Sequence, residues 1–119
     1  MDDDEEVRNF LKRFLEYKGH EVITANGGKE APEKINEIPE VVLLDIMMGD
    51  IHGMNVLDRI KEIAPSTEII MVTGLVEHAV GVESFKRGAS DFITKPIDLK
   101  YLEELIDFKI MQRSLEAEP

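Results

Sequence analysis

The sequence predicts an α/β fold with a parallel sheet, and two observations carry the prediction. Three short apolar runs, Val41 to Leu44, Ile69 to Val72 and Phe92 to Thr94, alternate with longer stretches of helical periodicity. Each run is nearly continuous in apolar residues, as expected of parallel strands buried on both faces. Each also delivers a different polar group at its carboxyl end: Asp45, Thr73 and Lys95. Open α/β sheets bind ligands in the crevice outside those ends, so a carboxylate, a hydroxyl and an ammonium are expected to converge at one edge.

The elements follow in order. Val7, Phe10, Leu11, Phe14 and Leu15 recur at helical spacing after an acidic first turn, and Gly19 stops the pattern, giving a helix from about Glu5 to Lys18 with Phe10 and Phe14 in the core. Val22 and Ile23 predict a short strand over Glu21 to Ala25, closed by Asn26-Gly27-Gly28. A short helix starting near Pro32 is expected to turn Ala31, Ile35 and Ile38 inward, since proline is tolerated in a first turn but not later. The run into Asp45 and a Gly-rich segment, Gly49 to Gly53, precede a helix over about Met54 to Ala64 that buries Val56, Leu57, Ile60 and Ile63 and ends at Pro65. After the second run, a helix near Glu77 to Lys86 uses Val80 and Phe85, and Gly88 terminates it. The last strand, Asp91 to Thr94, leads to an amphipathic helix over Ile97 to about Leu115, with Leu99, Leu102, Leu105, Ile106 and Ile110 on one side.

The 119 residues, 43% of them apolar, fit a single domain over 1–119 with no second one. With no cysteine, disulfides and thiolate chemistry are excluded. Apolar stretches of about four residues fall far below the ~20 needed to span a bilayer, and the amino terminus is acidic where a signal peptide is basic, which reads as soluble and cytoplasmic, away from membranes. Fourteen Lys and Arg against 25 Asp and Glu give a formal charge of −11. Phosphate backbones are repelled by such a surface, so direct nucleic-acid binding by this domain is not expected.

If Asp2 and Asp3 join Asp45 in one crevice, three carboxylates repel unless cations offset them. Lys95 supplies one charge. Mg²⁺ suits the rest, because it takes one or two carboxylates together with waters and phosphate oxygens. A metal-bound carboxylate beside a lysine and a hydroxyl suits phosphoryl transfer, with Asp45 as the nucleophile, Lys95 on the phosphoryl oxygens and Thr73 donating to one of them. The same residues also have plainer readings. Asp2 to Asp4 reads equally as a solvated helix start, Thr73-Gly74 as turn chemistry, and Phe92 as core. His20, His52 and His78 are scattered and read as surface residues.

Taken together, the acidic pair Asp2-Asp3 before a helix bearing Val7 and Arg8, VVLLDIMM with Asp45, MVTG with Thr73, and GASDFITKPI with Lys95-Pro96 resemble the receiver domain of two-component response regulators. The order and spacing agree over essentially the whole chain. The resemblance implies a three-layer, flavodoxin-like (βα)5 fold with parallel strand order 2-1-3-4-5. It implies that Asp45 accepts a phosphoryl group from a histidine kinase or phosphotransferase, and that Asp3, Asp45 and the backbone carbonyl of Met47 ligate Mg²⁺, with Asp2 acting through a coordinated water. It further implies a switch: Thr73 moves toward the phosphoryl group, Phe92 turns inward, and a protein-binding face is remodelled. Lys95-Pro96 is expected to be cis. Such a domain phosphorylates itself rather than turning over substrate, so it is not expected to be an enzyme in the ordinary sense. Its output is a downstream protein, or its own effector domain in a longer chain.

Some positions depart from the family's pattern. Gly49 stands where a proline is usual, and Pro32 where a helix former is usual. The largest departure is the first, central strand, which should aim Asp2 and Asp3 but has only Met1 before them. Losing about five buried apolar residues forfeits roughly 7 to 15 kcal/mol at ~1.5 to 3 each, as much as a typical domain's whole stability. The expectation is a truncated chain, or one that repairs its sheet by rearrangement or homo-oligomerisation. The alternative function is a receiver that no longer switches and serves as a constitutive docking or dimerisation module. An aspartate phosphatase would need a carboxylate at Met47, two residues after Asp45, and a flavin carrier would need a hydroxyl- and glycine-rich phosphate loop where Asp2 to Glu6 stand.

Overall fold

The structure, a computed structural model, describes residues 1–2, 4–26, 30–46, 53–74 and 78–117. The chain begins with α1 (Glu5–Tyr17), which Asp4 caps by accepting the Glu6 and Val7 N–H groups at 2.9 and 3.4 Å. Its carboxyl end closes through Gly19 at φ 96°, with the Gly19 N–H on the Glu16 carbonyl and the His20 N–H on the Leu15 carbonyl, both at 3.0 Å. Leu11, Phe14 and Leu15 form the packed stripe of α1. Phe10, expected in the core, is 54% exposed. It lies on the flank of that stripe, facing a shallow groove with Pro96, Ile97 and Leu99 rather than the sheet.

A short α2 (Ala31–Ile35) carries Pro32 in its first turn and buries Ile35. Ile38 does not turn inward as expected; it is 63% exposed. Its backbone sits at φ 50°, a conformation rare for a β-branched residue, in the turn where its N–H reaches the Ile35 carbonyl at 2.8 Å, and this swings the side chain away from the core.

Three parallel strands form the sheet in the order β1-β2-β3: β1 (Val41–Leu44), β2 (Glu68–Thr73) and β3 (Asp91–Thr94). Between them run α3 (Gly53–Ile63) and α4 (His78–Lys86), and α5 (Leu99–Ala117) follows β3. Residues of β2 alternate between two cores, as the period of a strand requires. Ile69 and Met71 join Ile35, Val42, Leu44, Leu57 and Ile60 on one face, and Ile70 and Val72 join Leu15, Ile93, Leu102 and Ile106 on the other. Helices on both faces of a parallel sheet make the three-layer α/β architecture that the sequence predicts. In α4, Val80 packs on the core and Ser84, four residues on, is buried with its hydroxyl donating to the Gly81 carbonyl at 2.8 Å. That orientation turns Phe85, expected inside, outward to 50% exposure.

The strand expected over 21–25 does not form. Those residues form no sheet ladder, and none of them makes a backbone hydrogen bond to another described residue. The reason is positional: between them and β1 lies a cavity of about 1010 Å³, so the neighbour that a ladder needs is not adjacent. Its volume is several times the ~150 Å³ left by truncating a large core side chain. Among the described residues Met1 alone pairs on that side of β1. Its ammonium donates to the Leu43 carbonyl at 2.6 Å, and its own carbonyl accepts from the Asp45 N–H at 3.0 Å.

Candidate functional site

The sheet order brings the three strand ends side by side. Leu44 pairs with Met71, and Thr73 pairs with Thr94. Asp45, Thr73 and Lys95 therefore leave one edge together, with Thr73 between the other two. The Lys95 N–H donates to the Thr73 carbonyl at 2.8 Å, which pins the start of the segment after β3 to the end of β2. The Lys95-Pro96 bond is cis, as expected.

Lys95 Nζ lies 3.0 Å from Asp45 Oδ2 and 3.0 Å from Asp2 Oδ2. Both carboxylates are 6% exposed and Thr73 is 1% exposed, so these charges meet largely out of water, where pairing matters most. Burial opposes the Lys95 charge, but the hydrogen bonds to Asp45 and Asp2 and their negative charge outweigh it and hold its pKa above the usual lysine value. Asp2 is also positioned from its own backbone. Arg8 Nη1 donates to the Asp2 carbonyl at 2.7 Å and to Asn26 Oδ1 at 3.0 Å, and the Asp4 N–H donates to Asp2 Oδ1 at 2.9 Å.

The acidic start thus divides its work: Asp4 caps a helix at the surface, while Asp2 is buried in the site. Two carboxylates against one ammonium leave one net negative charge among hard oxygen donors, a set whose chemistry fits Mg²⁺. Among the described residues no group of three potential ligands stands together. Asp3 and Met47, the other expected ligands, and Gly49 lie outside the described residues, as does His52. Phe92 is half-buried, packed on the core, and its ring faces α4: a Cβ on Gly81 would stand 4.0 Å from Phe92 Cδ2.

Gly53 belongs to the site in a way that sequence reasoning missed. A Cβ there would meet the Asp45 carbonyl and would stand 2.6 Å from Ile46 Cα, and the Gly53 N–H donates to the Ile46 carbonyl at 2.6 Å. The amino end of α3 therefore rests directly on the backbone that carries Asp45. The only sequence signal was a glycine at a helix start, too common to single out.

A response regulator receiver domain model matches residues 1–107. The chain belongs to the response regulator receiver family. As a receiver it is 37% identical over 98 residues to the chemotaxis protein CheY of Thermotoga maritima, covering 81% of this chain and 82% of that protein. It is 37% identical over 108 residues to the transcriptional regulatory protein CrdR of Helicobacter pylori, covering 89% of this chain and 51% of that protein. The receiver thus spans about half the length of CrdR, and 26% of that of the regulatory protein AtoC of Escherichia coli. A CheY-like receiver from Methanospirillum hungatei superposes with a TM-score of 0.93 at 33% identity, covering 98% of this chain and 94% of that one. The fold is the flavodoxin-like receiver fold, and among the described residues no helix is long and apolar enough to cross a membrane.

Proposed function

We propose that this receiver is a phosphorylation-controlled signalling domain in which Asp45 is the phosphoacceptor. The observation that carries the reading is the Lys95 ammonium held at 3.0 Å between the buried carboxylates of Asp45 and Asp2 at the carboxyl edge of the sheet. An Asp45 carboxylate oxygen forms a bond to phosphorus as the P–N bond of a phosphohistidine donor breaks; the imidazole keeps the electron pair and takes a proton from water. The donor is then a histidine kinase or a phosphotransferase, in keeping with the family.

Lys95 neutralises the charge gathering on the phosphoryl oxygens and keeps it aligned with Asp45. The buried Thr73, on the neighbouring strand, donates its hydroxyl to one of those oxygens. Asp2 and Asp45 would hold Mg²⁺ together with Asp3 and the Met47 carbonyl, and the ion would supply further charge neutralisation when bound. Phosphorylation then draws Thr73 and Phe92 inward and remodels the face formed by α4, β3 and α5, which passes the signal to a downstream protein or to an effector domain of the same chain. The chemistry is self-phosphorylation with slow hydrolysis, in the cytoplasm.

Intact mass after incubation with acetyl phosphate tests this. One phosphoryl adduct that needs Mg²⁺ and disappears in Asp45→Asn is expected. The same protein without any adduct would instead favour a constitutive docking module.

A further inference from the structure

The proposed phosphoryl chemistry leaves one cation beside the site without a role, the half-buried Arg8 of α1. Its Nη1 donates two hydrogen bonds, one to the Asp2 carbonyl at 2.7 Å and one to Asn26 Oδ1 at 3.0 Å. A side chain six residues after Asp2 thus reaches back over the first turn of α1 and holds Asp2 by its backbone. The Asp4 N–H holds the same residue by Oδ1 at 2.9 Å, and Lys95 Nζ holds it by Oδ2 at 3.0 Å. Contacts at three separate atoms fix both the place of the Asp2 main chain and the direction of its carboxylate. Of these, the Arg8 bond is the one made to the main chain, whose shift would carry the carboxylate away from Lys95 and Asp45.

The bond to Asn26 extends this brace beyond α1. Asn26 is exposed, and its own N–H donates to Glu30 Oε2 at 2.7 Å, at the start of α2. A chain of hydrogen bonds therefore runs from the amino end of α2 through Asn26 and Arg8 to Asp2, and through Lys95 to Asp45. Those made by the guanidinium are charge-assisted, and so among the stronger ones. Groups that stand behind a metal ligand set its orientation, and with it the metal affinity, without touching the ion.

We propose that Arg8 is a positioning residue for Mg²⁺: it fixes the Asp2 main chain so that Asp2 and Asp45 present their oxygens to one ion, and Asn26 fixes Arg8 from the far side. The proposal rests on the reading of Asp2 and Asp45 as holders of Mg²⁺. Charge and position act in opposite directions here. A guanidinium near the site repels a divalent cation, so charge alone makes removal of Arg8 tighten Mg²⁺ binding. Positioning makes the same removal weaken it. The sign of the change separates a brace from a bystander cation.

Calorimetric titration of the full chain with MgCl₂ tests this in the native protein, Arg8→Met, Arg8→Lys and Asn26→Ala, with urea unfolding of each. Arg8→Met is expected to weaken Mg²⁺ binding by about 10-fold, the low end for groups that orient a metal ligand. Arg8→Lys is expected to recover part of that loss, because both bonds leave one nitrogen and an ammonium carries three donors. Asn26→Ala is expected to weaken binding by about 3-fold with an unchanged unfolding midpoint, since Arg8 keeps its bond to Asp2. Phosphorylation of each variant by acetyl phosphate is expected to return toward the native rate at saturating Mg²⁺. Unchanged or tighter Mg²⁺ binding in Arg8→Met would overturn the proposal while leaving Asp45 as the phosphoacceptor. A rate loss that saturating Mg²⁺ does not recover would overturn it as well. If Arg8→Met does not fold, Asn26→Ala decides, and native affinity in that variant overturns the proposal. A native protein that binds no Mg²⁺ would overturn both the proposal and the reading beneath it.

Discussion

Lys95 Nζ and Asp45 Oδ2 stand 3.0 Å apart, although the two residues are separated by two helices and two strands in the chain. The same ammonium reaches Asp2 at 3.0 Å, so one lysine ties together the start of the chain, the end of β1 and the segment after β3. Its position follows from two constraints, the Thr73 carbonyl on its backbone N–H and the two carboxylates on its side chain.

Replacing that lysine leaves two buried carboxylates with no shared counter-charge. Lys95→Met is expected to destabilise the domain by about 3 to 5 kcal/mol, the usual cost of removing one partner of a buried ion pair. It is also expected to abolish adduct formation. Urea unfolding followed by circular dichroism checks the first effect, and intact mass the second. Lys95→Arg is not expected to rescue phosphorylation, because a planar guanidinium does not replace a compact ammonium between two oxygens.

Gly53→Ala drives a methyl group into the Ile46 backbone, at 2.6 Å from its Cα. Backbone cannot yield as a flexible side chain can, so a loss of about 1 to 3 kcal/mol is expected. Because the displaced segment carries Asp45, the phosphorylation rate is expected to fall as well. Gly81→Ala, within α4, meets only Phe92 Cδ2 at 4.0 Å and is expected to stabilise by roughly 0.5 to 1 kcal/mol through helix propensity. Paired denaturation curves separate the two glycines, and similar losses in both would contradict this reading.

Burial pulls the Met1 amine from 8.0 down to about 6, against the opposing pull of Asp2 and Asp45. Between those two values the unfolded chain holds a proton that the folded chain has released. Stability from this group is therefore present above pH 8 and is lost as pH falls from 8 to 6. A shift of this size corresponds to roughly 2 to 3 kcal/mol. Denaturation midpoints across the window are expected to rise with pH, and acetylation of the amine is expected to remove the rise. A flat profile in the unmodified protein would contradict the assignment.

Asp45, Thr73 and Lys95 were legible because each ends a continuous apolar run, and a parallel sheet turns that one-dimensional pattern into adjacency. The burial of Asp2 was less so. Local sequence does not distinguish it from Asp4, and only the tertiary approach of Lys95 and Arg8 makes one a site residue and the other a helix cap. Residues 21–25 have the pattern of a strand but lack its neighbour, and a strand is defined by pairing as much as by propensity. Phe10, Ile38 and Phe85 were assigned inward on periodicity. Periodicity gives a helix an apolar side but not the width of the stripe that its neighbours cover, nor a left-handed turn such as the one at Ile38.

The central claim is that Asp45 is the group that takes the phosphoryl. Its most direct measurement is peptide mapping of the protein after acetyl phosphate and Mg²⁺, with the acyl phosphate trapped by borohydride reduction. The account predicts modification at Asp45 alone, and none in Asp45→Asn. Modification at another carboxylate in the native protein, or an unchanged level in Asp45→Asn, would contradict it.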